Sequence, residues 1–368
     1  MKNLAHLSFK SENTLGRFLP VKEDRDRNLY FMDPYLLDQN KILCSKAIRR
    51  LKDKTQVLSG LGNVYIRDRL VHSFEVMALA VQSGARLGLN INLLQAGSLG
   101  HDIWHVPFGH LGERFLTSKL GEKFRHEKFA IFGYEVIERN GAGLNLSYET
   151  LQAIKNHSRG SGKMVTLDGD VLEDDVIMIC DKLAYVFSDF NDISRINYGN
   201  FVAPKEMFSL GSGQAERLNS CLQAFWRESL KKGKISFCDS DEAKKFMVVR
   251  DFMYEEVYHK IDQLEDRVRM NDILEKVYSY FLSYFNDERS AVLAIAISSE
   301  NDIYALNGLL ENYGKVVVDN RIKEPKNFSI GEVMHRIPNL AKFDFCNPSK
   351  YMDKNNFGKF SKMELFIR

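Results

Sequence analysis

The sequence predicts an all-α fold with at most short β-segments. Prolines are sparse, seven in 368 residues, while hydrophobic residues make up 44%, a balance that suits a helix-rich globule better than a loop-rich or disordered chain. Apolar residues recur at helical spacing, as over 69–87, where Val76, Leu79 and Ala80 share one side. There is no internal repeat and no low-complexity tract to suggest a solenoid or a long linker.

Residues 1–40 form a polar, charged extension that includes the cluster Lys22-Glu23-Asp24-Arg25-Asp26-Arg27. A helix is expected at about 41–54, and Gly60 and Gly62 make 55–68 a loop or short β-turn. Helices follow over 69–87 and 91–105, the second stopping before Pro107, which cannot continue a helical hydrogen-bond ladder. Further helices are expected at 111–119, 123–139, 148–157, 171–191 and 242–285. Segments 158–169, 209–214 and 313–327 read as loops, with Lys315-Val-Val-Val-Asp319 as a short strand. A composition shift near residue 200 separates a core over 1–200, with its N-terminal extension, from a helical region over 201–368. That second region is expected to pack on the core rather than fold alone.

Bulk charge excludes little but points nowhere special. Lys+Arg is 51 and Asp+Glu is 49, so the formal charge of +2 gives no global pull toward nucleic acid or membrane. The five cysteines contain no CxxC pair, and their odd number argues against a disulfide framework. Reduced thiols in a cytoplasmic protein are the expectation. The start, MKNLAHLSFKSENTLG, lacks the apolar stretch of a signal peptide, and no run approaches the roughly 20 apolar residues that span a bilayer.

The histidines concentrate the chemistry. Of nine, five fall between residues 72 and 126. His72, His101-Asp102 and Asp181 form an H…HD…D order on three predicted helices, a mixed nitrogen and oxygen set suited to Mn²⁺, Fe²⁺, Ni²⁺ or Mg²⁺. A lone histidine on an apolar helix is ordinarily a hydrogen-bonded core residue, and His72 alone would be read so. The dense run His101-Asp-Ile-Trp-His105-Val-Pro-Phe-Gly-His110 is hard to explain by packing. His101 and His105 are expected one turn apart on one helix face. Asp181, Lys182, Tyr185 and Asp189 share a stripe of a later helix, which is either a site wall or a solvated face. Two lesser motifs are set aside. Gly160-Ser-Gly-Lys163 lacks the spacing and the Ser/Thr of a phosphate loop, and His101-Asp-Ile-Trp-His105 carries Asp where a zinc protease needs Glu.

Taken as an ordered set, these residues resemble the HD-domain deoxynucleoside triphosphate (dNTP) triphosphohydrolases, the dGTPase-like family. The resemblance spans roughly 24–195 and rests on Asp24-Arg-Asp-Arg27, Arg50-Leu-Lys-Asp-Lys-Thr-Gln-Val57, Arg67-Asp-Arg-Leu-Val-His-Ser-Phe-Glu-Val76, Gly100-His-Asp102, Pro107-Phe-Gly-His-Leu-Gly-Glu113, His126-Glu127 and Asp181-Lys-Leu-Ala-Tyr185 with Asp189. It implies an HD-type helical core with added C-terminal helices. It also implies that His72, His101, Asp102 and Asp181 ligate a divalent metal. By the same resemblance His105, His110 and His126 are further active-site histidines, Glu113 orients His110, and Glu127 is a second acidic helper. Arg69, Lys182 and Tyr185 match triphosphate contacts, Gln56 and Asp189 match groups that read the sugar 3′-OH, and Arg250 is a further phosphate candidate.

The implied reaction attacks the α-phosphate and releases a deoxynucleoside and tripolyphosphate, with dGTP or several dNTPs as substrate. The implied partners are a homo-oligomer and a nucleotide activator. Competing readings are an HD phosphohydrolase on another phosphoester and a non-catalytic nucleotide sensor or single-stranded nucleic-acid binder. One departure stands out: Ile103-Trp104 replaces the family's usual Leu-Gly, so the indole either narrows the pocket or points outward into a subunit contact.

Overall fold

The computed structural model describes residues 3–58, 65–158, 164–166, 171–196, 200–323, 333–334, 336–337, 340–342 and 344–346. The fold is all-α: the described residues contain isolated bridges, such as Val165 with Ser236, but no strand. In chain order the helices are α1 (Pro34–Leu43), α2 (Ala47–Arg50), α3 (Arg69–Leu87), α4 (Ile91–Gly100), α5 (Gly109–Leu120), α6 (His126–Phe132), α7 (Tyr148–Asn156) and α8 (Leu172–Arg195). The later region supplies α9 (Lys205–Leu210), α10 (Gln214–Lys232), α11 (Asp241–Phe252), α12 (His259–Ile261), α13 (Glu265–Phe285), α14 (Glu288–Ala296) and α15 (Glu300–Lys323).

Helix α8 is the central element. It is buried along most of its length and packs against α3, α4, α7 and α10. Its neighbour α3 starts where the Asp68 carboxylate accepts the Val71 amide and stops at Gly88, whose φ of 82° is open to glycine. Two apolar clusters fill the molecule. One joins Phe129, Phe132 and Leu151 to Leu274, Phe281 and Ala294; the other joins Val76, Ile177 and Phe187 to Phe225 and Phe246. Both mix residues from either side of residue 200.

Several boundaries differ from the sequence-based expectations, each for a physical reason. The helix expected at 41–54 begins earlier, because the Asp33 carboxylate caps the Tyr35 and Leu36 amides and Pro34 occupies the first turn. It ends at Leu43, and Leu51–Asp53 is a 3-10 turn. Helix α4 ends at Gly100, where the Tyr134 hydroxyl donates to the Gly100 carbonyl at 2.7 Å and competes with a helical amide. His101 and His105 therefore do not share a regular helix face. The segment 123–139 changes to a π-turn at Gly133–Ile137, and 242–285 breaks at a second π-turn, Met253–Tyr258. Of the loop expected at 313–327, the described residues 313–323, including the strand expected at 315–319, are helical: α15 continues through a kink at Gly314 because Val318 and Ile322, one turn apart, are buried in the core. Gly60, Gly62 and the Gly160–Lys163 motif lie outside the described residues. No helix among the described residues is long and apolar enough to cross a membrane.

Candidate active site

Three elements converge at the end of α4. His72 comes from α3, Asp181 from α8, and His101 from the first residue past α4. Their ligand atoms lie within 4.8 Å of one another. His72 Nε2 donates to Asp181 Oδ1 at 2.9 Å, and His101 Nε2 stands 3.7 Å from the same oxygen. The tautomer of His101 is set by its Nδ1, which donates to the Ser98 carbonyl at 2.6 Å. Its Nε2 is then a lone pair, buried and without a hydrogen-bond partner. Burial lowers the His101 imidazole to about 4 despite Asp102 and Asp181 nearby, so it is neutral and available as a ligand. An orphaned imidazole nitrogen facing a carboxylate and a second imidazole fits a divalent cation.

Asp102, the fourth expected ligand, points elsewhere. Its Oδ2 accepts from Arg69 Nη1, and its carboxylate groups with His105 and His126. Arg69 is thereby placed one turn before His72, with its guanidinium against the cluster. Burial works to raise the Asp102 carboxyl, but Arg69 above all, then His105, His101 and His126, hold it well below the usual range.

The second half of the site hangs on a tight turn. Phe108 adopts the left-handed region at φ 60°, and Gly109 follows at φ 58°; for a non-glycine residue this conformation costs roughly 1–2 kcal/mol. The turn carries His105 and His110 to one end of α5, their rings 5.8 Å apart. Glu113, one turn into α5, accepts from His110 Nδ1 at 2.9 Å and from both the Nδ1 and the backbone amide of His126 at 2.8 Å. His110 is largely exposed, whereas His126 is buried, so the carboxylate acts on both histidines and not on His110 alone. Glu127 stands behind His126, 3.7 Å from its Nδ1, and pairs with Arg125.

His126 keeps both ring protons. Its Nε2 lies 3.2 Å from Nε2 of His157, whose Nδ1 donates to the Ile154 carbonyl at 2.5 Å. His157 Nε2 is therefore the acceptor and His126 Nε2–H the donor. Burial lowers the His126 imidazole, but Glu113 by charge and hydrogen bond, then Glu127 and Asp102, raise it to about 9. Stacked on it at 4.2 Å, His105 is pushed well below its usual value by burial, then by Arg69 and His126. A cationic imidazole thus sits beside a neutral one.

Helix α8 forms the opposite wall. Asp181, Lys182, Tyr185 and Asp189 all line a cavity of about 530 Å³, as do all the other site residues named from the sequence except Glu127 and Arg250. The size suits a small-molecule ligand. Asp189 is held on both oxygens, by Arg67 at 2.6 Å and by the Tyr258 hydroxyl at 2.7 Å. Tyr185 and Tyr254 join through their hydroxyls at 2.7 Å. Tyr254 and Tyr258 ride the π-turn, and both line the cavity. Gln56 lines the wall nearest α3, and its carbonyl accepts from Arg69 at 3.4 Å. Arg250 is buried beside Asp251 and is not part of the lining.

Comparison with known proteins decides the family. A model of the HD domain matches residues 69–186, from Arg69, one turn before His72, through Tyr185 of the α8 stripe but short of Asp189. A deoxyguanosinetriphosphate triphosphohydrolase-like protein of Clostridium tetani is 33% identical over 283 residues, covering 75% of this chain and 80% of that protein. The chain belongs to the HD-domain, dGTPase-like triphosphohydrolase family. A second such relative, from Caldanaerobacter subterraneus subsp. tengcongensis, is 34% identical over 285 residues, 76% of this chain and 80% of its own. Members of the family are hydrolases, and this chain is one. HD domains are metal-dependent, and the His72, His101 and Asp181 group is the candidate place for the ion.

The family departure at Trp104 leaves the cavity alone. The indole is buried against Gly133, where a Cβ would sit 2.2 Å from it, and against Phe129. Gly133 makes room for it, and the ring neither narrows the pocket nor reaches a surface. His157, Tyr254, Tyr258 and Arg67 were not singled out from the sequence. His157 ends a helix that was expected at 148–157, which was the available signal; the tyrosines had none beyond their own identity.

Proposed function

We propose that the chain hydrolyses dNTPs at the α-phosphate, releasing a deoxynucleoside and tripolyphosphate, with dGTP or several dNTPs as substrate. The observation that carries this reading is one cavity lined by a metal-type trio, by the Glu113-bound His126 and by the polar groups of α8. His72, His101 and Asp181 would hold Mn²⁺, Mg²⁺, Fe²⁺ or Ni²⁺, joined by Asp102 on release from Arg69. Such an ion, when bound, neutralises phosphate charge and makes water a stronger acid.

The chain's own groups do the rest. Arg69 and Lys182 meet triphosphate charge inside a low-dielectric cavity, where electrostatic stabilisation is worth most. His126, charged and held by Glu113, carries at Nε2 the proton for the leaving 5′-oxygen, which would replace His157 Nε2 as its acceptor when substrate binds, with His105 and His110 beside it. Gln56 and Asp189 face the sugar, and Tyr185 with Tyr258 closes the space around it.

Turnover of each dNTP and each rNTP with Mn²⁺ or Mg²⁺ tests the reading. Deoxynucleoside release that is lost in His101→Ala supports it. Binding without turnover under any metal would make the protein a nucleotide sensor, and preference for another phosphoester would move the reaction class.

A further inference from the structure

Besides Tyr254 and Tyr258, the C-terminal region reaches the site through a buried carboxylate that the mechanism above does not use. Glu300, in the first turn of α15, is 4% exposed. Its Oε1 accepts the Thr55 amide at 3.0 Å and the Phe108 amide at 3.2 Å, and its Oε2 accepts the Thr55 hydroxyl at 2.7 Å. Both partners line the cavity. Thr55 precedes Gln56, and Phe108 is the left-handed residue of the turn that presents His105 and His110. The one side chain therefore ties together two cavity walls that lie far apart in sequence.

Its own position is fixed. Ser299 Oγ accepts the Asp302 amide at 3.1 Å, while the Asp302 carboxylate accepts the Ser299 amide at 2.9 Å, a reciprocal cap that pins the start of α15. One turn on, the Tyr304 ring meets the Phe108 ring edge-on at 5.4 Å. From α13, Arg267 donates to the Val57 carbonyl.

We infer that Glu300 is a positioning residue: it sets the sugar-facing segment around Gln56 and the histidine-bearing turn in register across the cavity. A non-glycine residue stays left-handed only where its surroundings over-determine it, and the Glu300 bond to the Phe108 amide, with Tyr304 behind it, supplies that constraint. What matters is where the two acceptor oxygens sit. Charge is secondary, so a glutamine, which retains Oε1 for both amides and can meet the Thr55 hydroxyl with its amide group, substitutes for it.

The test compares Glu300→Ala, Glu300→Gln and Thr55→Val in the full chain, reading kcat and KM for dNTPs with Mn²⁺ and hydrogen exchange at the amides of residues 55 and 108. Its turnover arm rests on the proposed function; the exchange arm does not, so a wild type that fails to turn over dNTPs sinks that function while exchange still reads Glu300. Glu300→Ala is expected to speed exchange at both amides and lower kcat/KM about 100-fold through both constants, and Glu300→Gln to stay within about threefold. Thr55→Val, which loses the hydroxyl bond alone, is expected to fall between and carries the test should the alanine variant not fold. Unchanged exchange and unchanged kinetics in Glu300→Ala, or in Thr55→Val where that variant stands in, would overturn the inference. So would a glutamine variant as impaired as the alanine one, which would assign the role to charge.

Discussion

Glu113 is joined to His126 twice, accepting both the ring Nδ1–H and the backbone amide at 2.8 Å. The carboxylate thus fixes where the ring sits and raises its proton affinity in one arrangement.

This coupling predicts the alkaline side of the pH profile. His126 is raised to about 9, so it is protonated below that value and loses its proton as pH rises through it. Turnover should fall along the same limb. In Glu113→Gln the imidazole should return toward the free value of about 6.5, which lowers the protonated fraction at pH 8 by about 30-fold. A profile of kcat against pH checks this; an unmoved alkaline limb in the variant would remove His126 from the acid role.

Ligand removal should separate metal from fold. His101→Ala and Asp181→Ala are expected to lose the bound divalent ion and to reduce turnover at least about 1,000-fold, with helical content unchanged. Metal analysis and circular dichroism on the same samples measure both. Chelation of the wild type should abolish activity, and Mn²⁺ should restore it. A variant that retains stoichiometric metal would show that the trio is not its place.

Tyr258→Phe deletes the hydroxyl that donates to Asp189 at 2.7 Å. A hydrogen bond to a charged group contributes about 1.5–3 kcal/mol, so kcat/KM for dNTPs should fall about 10- to 100-fold while metal content stays constant. Steady-state kinetics with metal analysis reads the two apart.

The N-terminal extension offers a stability test. Lys41 is buried and donates to Asp24 at 3.0 Å, and Asn145 bridges to the same carboxylate. Burial opposes ionisation of Asp24, but Tyr30, the Asp26 amide, Lys41 and Asn145 lower it to about 2. Its stabilisation is therefore complete above the ordinary aspartate value of about 3.9 and lost as pH falls toward about 2. Asp24→Ala leaves the buried Lys41 ammonium with the Asn145 carbonyl at 3.0 Å and Asp26 at 3.7 Å, so the loss should approach that of a broken buried pair, about 3–5 kcal/mol. Urea unfolding at neutral pH measures it.

The cavity-lining residues of 101–110 stood out because each is chemically unusual where it stands: three histidines and an aspartate in ten residues are hard to explain by packing. The stripe from Asp181 to Asp189 was legible because helical spacing alone puts it on one face. Tyr258 and Glu300 were not, since a tyrosine or glutamate on an ordinary helix carries no local mark, and their partners Asp189, Thr55 and Phe108 are distant in sequence. The break at 253–258 was invisible for a related reason, because a π-turn has no compositional signature. Val316 to Val318 looked like a strand because β-branched residues favour one; burial of Val318 and Ile322 decided for helix. Asp33-Pro34 is a helix start readable in the sequence that the expectation of a helix at 41–54 did not use.

Hydrolysis of dGTP in ¹⁸O-labelled water, with Mn²⁺ and separation of the products, tests the account most directly. It predicts tripolyphosphate bearing one ¹⁸O and an unlabelled deoxyguanosine, the outcome of attack at the α-phosphorus. Pyrophosphate or orthophosphate as the labelled product, or label on the deoxyguanosine 5′-oxygen, would contradict it.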